Sequence, residues 1–367
     1  MPSFILLLEL ALIAVVFAGL PLVYLWTRPG YNFFQRLNWV LVFMTFDLIV
    51  FGAFTRLTDS GLGCPDWPGC YGNSNPLHAL GDIKQAEHLL PDGPVTVMKA
   101  WIEMIHRYLA MTVGALILVQ VGVAFSKLKS LGKGPLLGSL GLLLLVCIQG
   151  AFGAWTVTLK LQPIIVSLHL ILALFLLAAL TTYAQQVWVE KNSSVRVLRV
   201  RPVPSLLWLS AFVILFCQIF LGAWVSTNYA VLACPDFPTC LGSAWPETNW
   251  QEGFTLWRQL GLNAQGEFIS PVALQTIHWA HRLFANLVLL VLLVLVWKIL
   301  RQSNPATESL NRLAKLLLSL LGLQIITGIS NVVFQWPLIA ALMHTAGSAA
   351  LVFCMVRIGY WTSWKRL

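Results

Sequence analysis

The chain has 367 residues, 58% of them hydrophobic and only 10% charged, where a soluble domain carries about a quarter charged residues. That deficit excludes an ordinary soluble globular protein. The formal net charge of +9 is no sign of nucleic-acid binding, because every second loop between the apolar stretches is basic, which is an orientation signal.

Apolar stretches near the length of about 20 residues that crosses a bilayer predict spans over 3–26, 37–57, 98–125, 135–158, 163–186, 205–229, 272–300, 312–333 and 337–361. The first stretch has no Lys or Arg ahead of it, carries Glu9 and is followed by no small-residue cleavage site, so it reads as a retained helix and not a signal peptide. Arg28 and Arg36 follow it; Lys127, Lys129 and Lys133 separate the third and fourth stretches; Lys191, Arg196, Arg199 and Arg201 separate the fifth and sixth. Lys298, Arg301, Arg312 and Lys315 lie between the seventh and eighth, and Lys365 and Arg366 close the chain. The remaining loops hold Asp59, Asp66, Asp82, Glu87 and Asp92, then Asp236, Glu247, Glu252 and Glu267. The positive-inside rule then puts the N-terminus outside and the C-terminus inside.

An internal repeat sets the expected architecture. The spacing from His106 to His281 also separates His169 from His344, Gln149 from Gln324 and Gly153 from Gly328. A slightly shorter spacing relates Gly52 to Gly222, and the Cys64…Cys70 loop to the Cys234…Cys240 loop. The expectation is an all-α integral membrane protein of two repeated four-helix bundles, 37–190 and 205–361, preceded by an extra helix and linker at 1–36. Each half has an even number of crossings, so the two run in the same direction and are expected about a pseudo-twofold axis along the membrane normal.

Of the seven histidines, His78 and His88 lie in a polar loop and read as solvated. The other five sit in apolar helices, where an ionisable group is costly and a function is the default reading. His106, His169, His281 and His344 each fall about two turns inside the outer end of a span, two per half. Facing histidines at one depth suit bis-imidazole ligation of haem iron. Hydrogen bonding between helices is the plainer alternative, and zinc would want its ligands in one cluster. Arg107 and Arg282 directly follow histidines, and each is a candidate for a haem propionate or a snorkelling residue at the membrane surface. The halves differ at Glu103, whose repeat partner is His278. Glu103 shares a helix face with His106 and is a candidate base or electrostatic stabiliser, or else a structural ion pair with Arg107. His278 shares a face with His281 and is an alternative ligand, although the repeat spacing favours His281. The two cysteine pairs lie in loops assigned to the outside, where disulfides persist and would close small lids. Cys147, Cys217 and Cys354 read as small apolar residues.

The run Gly52-Ala53-Phe54-Thr55-Arg56-Leu57-Thr58-Asp59-Ser60-Gly61-Leu62, the two cysteine loops, Glu103-Met-Ile-His106-Arg107 and the repeated histidines together resemble the haem A synthase family, from about Asn38 onward. The resemblance implies that the half with His106 and His169 receives the substrate haem O, and that the half with His281 and His344 holds a haem b cofactor. It implies that Glu103 is the family's essential glutamate and that Cys64–Cys70 and Cys234–Cys240 are disulfides on the periplasmic face of a bacterial inner membrane. The implied reaction oxidises the C8 methyl of the porphyrin to a formyl group through hydroxylated intermediates, making haem A for terminal oxidases. It runs beside haem O synthase and draws on an outside electron donor. The first helix is additional to the family's common eight-helix core, and His278 has no place in the family's motif. Two readings compete: a di-haem b cytochrome passing electrons between quinol and a partner, and a haem transporter or chaperone. A carboxylate in one half alone speaks against a pure electron carrier.

Overall fold

A computed structural model of the chain describes residues 32–91, 93–191, 204–301 and 308–363, with seven single positions before them. The helices are α1 Phe33–Leu57, α2 Leu80–Leu89, α3 Val97–Ser126, α4 Leu128–Leu131, α5 Lys133–Thr158, α6 Pro163–Lys191, α7 Ser205–Thr227, α8 Trp250–Gly253, α9 Pro271–Leu300, α10 Glu308–Val333 and α11 Leu338–Ser363. Among the described residues, extended pairing is limited to isolated bridges. The protein is an all-α integral membrane protein. Helices α1, α3, α5, α6, α7, α9, α10 and α11 are the 8 long and apolar enough to cross a membrane. The span expected over 3–26 lies outside the described residues, save isolated positions.

The helices start where the sequence supplies caps. Asn32 accepts the Phe34 N–H, Thr96 that of Lys99, and Ser270 that of Ala273, with Pro271 at the first turn of α9. Within hydrocarbon a helix pairs all its interior backbone groups internally. Phe43, Leu118, Leu144 and Leu290 are exposed, as lipid-facing side chains must be.

The chain divides into two compact units, residues 1–161 with 175–191, and residues 162–174 with 192–367. In the first, α3 packs on both α1 and α5. Gln120 donates to Asn38 across the α1–α3 contact at 2.7 Å. The later part of α6 joins them. The Tyr183 hydroxyl donates to the Pro135 carbonyl at 2.7 Å, and its ring lies so close to Gly138 that a Cβ there would come within 2.5 Å of it. Gln35 donates to the Val187 carbonyl at 3.3 Å. Small residues and interhelical hydrogen bonds are what hold membrane helices together, since lipid offers no hydrophobic drive between them.

In the second unit α7, α9, α10 and α11 form a closed ring, each packed on two of the others. The Trp208 indole on α7 donates to the Met355 carbonyl on α11 at 2.9 Å, beside Gly359. The first turns of α6 belong to this unit, so the helix expected to close the first repeat is divided. Ser167 and Thr227 share a hydroxyl hydrogen bond of 3.1 Å, and Ile164 packs on the cluster around Trp224.

Candidate functional site

In the first unit the chain leaving α1 forms a small loop closed by the Cys64–Cys70 disulfide, with Cα atoms 4.9 Å apart. Asp66 fixes its turn by accepting the Tyr71 and Gly72 N–H groups at 2.6 and 2.7 Å. The loop lies directly on α3, for a Cβ on Gly63 would sit 2.4 Å from the Lys99 carbonyl carbon. Only glycine permits that approach. From α3, Glu103 accepts the Cys64 N–H at 2.8 Å and forms a buried ion pair with Arg107 one turn on. The same guanidinium donates to the Asp66 carbonyl at 2.9 Å and to those of Pro68 and Gly69. Charge-assisted bonds of this kind are about twice as strong as neutral ones. The ion pair anticipated as one alternative for Glu103 is therefore present.

The second unit repeats the device with one substitution. Cys234–Cys240 closes a loop with Cα atoms 4.7 Å apart. Asp236 accepts from Leu241 N–H at 2.6 Å, Gly242 N–H at 3.0 Å and the Thr239 hydroxyl, and these donors, the Thr239 hydroxyl first, hold its carboxyl down to about 2. Arg282 donates to the carbonyls of Cys234, Asp236 and Thr239 at 2.6, 2.7 and 2.9 Å. Where the first unit has Glu103, His278 meets the Cys234 N–H at 3.3 Å with Nδ1 and the Arg282 Nε–H at 3.1 Å with Nε2. A neutral imidazole accepts at one nitrogen only. One of these contacts is a hydrogen bond and the other a close approach, so a carboxylate satisfies both donors where histidine cannot.

His106 lies one turn past Glu103, stacked on Phe51 with ring centroids 6.3 Å apart. Its Cε1 would be 2.9 Å from a Cβ on Gly52. His281 stands in the same relation to Gly222, at 3.0 Å, and His344 to Gly328, at 3.3 Å. Each of these rings occupies space that a side chain on the facing helix would take. Gln218 approaches Nδ1 of His281 at 3.1 Å. Thr327 approaches Nδ1 of His344 at 2.9 Å while its hydroxyl lies 2.8 Å from the Leu323 carbonyl. A hydroxyl that gives its proton to that carbonyl would accept from Nδ1–H and leave the lone pair on Nε2. That is the tautomer an iron ligand needs, with the second nitrogen held by a partner. In the second unit His278 is thus turned toward its loop. His169 is on the first stretch of α6 and so in the second unit, His106 in the first.

The described residues contain no group of three or more His, Cys, Asp or Glu placed to hold a bare metal ion. The donors come instead as separate imidazoles seated on glycines, which fits a planar macrocycle ligated axially. Reading the sequence missed Thr327 and Gln218, neither of which is an ionisable or repeated landmark. The glycines were visible as repeat markers, but their purpose was not.

These features define a multi-pass, all-helical membrane protein with half-buried imidazoles on glycine seats and disulfide loops clamped to the helices that carry them. A model of the cytochrome oxidase assembly protein family matches residues 35–356, and the chain belongs to that family. It is 38% identical over 336 residues to heme A synthase of Shewanella oneidensis, covering 89% of this chain and 96% of that protein. It is 31% identical over 328 residues to heme A synthase of Beijerinckia indica, covering 84% and 87% of the two. With heme A synthase of Caulobacter vibrioides the identity is 29% over 331 residues, covering 85% and 91%.

Proposed function

We propose that this chain converts haem O to haem A, oxidising the C8 methyl of the porphyrin to a formyl group through hydroxylated intermediates. The observation that carries the reading is the match over residues 35–356 to an oxidase-assembly family, joined to intramembrane histidines seated on glycines.

His281 and His344 are the proposed axial ligands of a haem b, which when bound would supply one-electron chemistry. Thr327 stands against Nδ1 of His344 and the Gln218 amide against the ring of His281. His106 and His169 are the proposed iron ligands of the substrate haem O. Glu103 is the proposed catalytic carboxylate, one turn from His106, and its contacts with Cys64 and Arg107 orient it. Arg107 and Arg282 are proposed as secondary propionate contacts, sharing their guanidinium groups with the loop carbonyls. By the distribution of basic residues the protein is proposed to span a bacterial inner membrane with both disulfide loops on the periplasmic side. Haem O synthase as supplier and a separate electron donor are the proposed partners.

The test is to purify the protein from membranes and identify its extracted haems by chromatography. Haem b accompanied by haem O, haem A or a hydroxylated intermediate is the expected result. Haem b alone, near two per chain, would overturn the proposal in favour of a di-haem electron carrier.

A further inference from the structure

Arg258 is a buried cation for which the haem-handling residues have no use. It lies in the segment between α8 and α9 and is only 4% exposed. One terminal nitrogen donates to the Leu262 carbonyl at 2.9 Å and the other to the Asn228 side chain. Its Cζ lies 5.8 Å from the centre of the Trp224 ring. The Nε–H is buried and has no hydrogen-bond partner among the described residues. No carboxylate among the described residues lies within ion-pair distance of it. Burial lowers its pKa, and Glu252, the carboxylate whose charge it feels, is bonded elsewhere. Glu252 accepts from the Ser270 N–H at 2.8 Å, the Ser270 hydroxyl and the Asn249 amide. A buried charge without a counter-ion is costly, and its presence calls for an anion from outside the chain.

A cavity of about 260 Å³ adjoins this guanidinium, lined also by Gln162, Trp257, Gln259 and Asn263. Gln162 is 7% exposed, yet its side-chain amide makes no hydrogen bond among the described residues. A guanidinium with a nearby carboxamide and no facing carboxylate is a donor set for a tetrahedral oxyanion. Of the neighbouring acids, the Glu267 carboxylate lies 3.5 Å from the Asn263 amide.

The position of the cavity identifies the oxyanion. Gln162 immediately precedes α6, and the Arg258 segment leads into α9, both spanning helices, so the cavity lies where helices leave the hydrocarbon. The same segment exposes Trp257 and Phe268, large aromatics that water disfavours and a bilayer interface accepts. At that depth the abundant oxyanion is the phosphodiester of the outer lipid layer. We propose that Arg258 and Gln162 form a binding site for the phosphate of a phospholipid headgroup, with Trp257 against the lipid beside it.

Native mass spectrometry of the detergent-purified full chain tests this, with phosphatidylglycerol, chain-matched diacylglycerol and inorganic phosphate as probes. The expected result is a single phosphatidylglycerol adduct that survives collisional activation, with no equivalent diacylglycerol adduct. Arg258→Gln is expected to cut its occupancy about tenfold, the loss of one charge-assisted hydrogen bond, and Gln162→Leu to cut it by a smaller factor. Gln162→Leu leaves the Arg258 contacts intact, so it decides the matter should Arg258→Gln fail to fold. Equal retention of diacylglycerol, wild-type lipid occupancy in Gln162→Leu and in any folded Arg258→Gln, or displacement of the lipid by millimolar inorganic phosphate would each overturn the proposal. The last would assign the site to a free anion.

Discussion

The hydroxyl of Thr327 lies 2.9 Å from Nδ1 of His344. Should its proton lie on the Leu323 carbonyl, Thr327 would accept the imidazole N–H and make Nε2 of this proposed ligand a stronger donor toward a bound iron, which would favour the ferric state. Thr327→Val is therefore expected to keep haem b bound and raise its midpoint potential. A hydrogen bond of about 1 kcal/mol corresponds to roughly 40 mV for one electron. A redox titration showing no upward shift would reject this role.

Removing a proposed ligand should have a larger effect than removing its support. His281→Ala and His344→Ala are each expected to lose the low-spin haem b spectrum and most of the bound haem b. If both variants keep full haem content and an unchanged spectrum, the ligand assignment fails. His278→Ala, by contrast, should leave the spectrum in place, because His278 faces Cys234 and Arg282.

The glycine seats predict a graded series. A Cβ would stand 2.9 Å from His106 at Gly52, 3.0 Å from His281 at Gly222 and 3.3 Å from His344 at Gly328. Alanine at Gly52 or Gly222 must displace the imidazole, whereas Gly328→Ala asks for only a slight shift. Spectra of the three variants should show the first two perturbed more strongly than the third. The reverse order would mean that the rings are not held by these contacts.

Glu103→Gln keeps an acceptor for the Cys64 N–H but removes the charge facing Arg107. Breaking a buried pair from one side costs about 3 kcal/mol or more, and the carbonyls around Arg107 put this case at the low end. Formyl-haem production is expected to fall sharply in Glu103→Gln and further in Glu103→Ala. Wild-type production by Glu103→Ala would remove Glu103 from the chemistry.

Asp236 supplies a pH dependence. Its carboxyl is held at about 2 in the folded loop, against an ordinary value near 3.9. A depressed carboxylate stabilises the fold fully above the unfolded value, and that contribution disappears as pH falls through the folded one. Hydrogen exchange at Leu241 and Gly242 should therefore stay protected at pH 5 and lose protection between about pH 4 and pH 2. Asp236→Asn should show weaker protection at both ends of that range.

Much of this was legible in one dimension. The eight described spans follow from lengths of apolar sequence, because crossing hydrocarbon is a requirement on local composition. The repeated histidines, glycines and cysteines are visible as shared spacings, and their intramembrane setting makes the histidines candidates for a function. Arg107 and Arg282 show what spacing leaves out. Adjacency to a histidine made them propionate candidates, and only the fold shows that both guanidinium groups also bond loop carbonyls.

The sequence by itself determined the class of the protein and its helices and proposed a small set of residues for its chemistry, since hydrophobic length and repeat spacing need no third dimension. The tertiary structure alone decided that Thr327 stands against Nδ1 of His344, that His278 turns to the Cys234 loop, and that Arg258 is buried with no carboxylate against it among the described residues. Those outcomes depend on the direction a side chain takes around its helix and on what the neighbouring backbone offers it. Residues far apart along the chain settle both, and spacing carries no record of them.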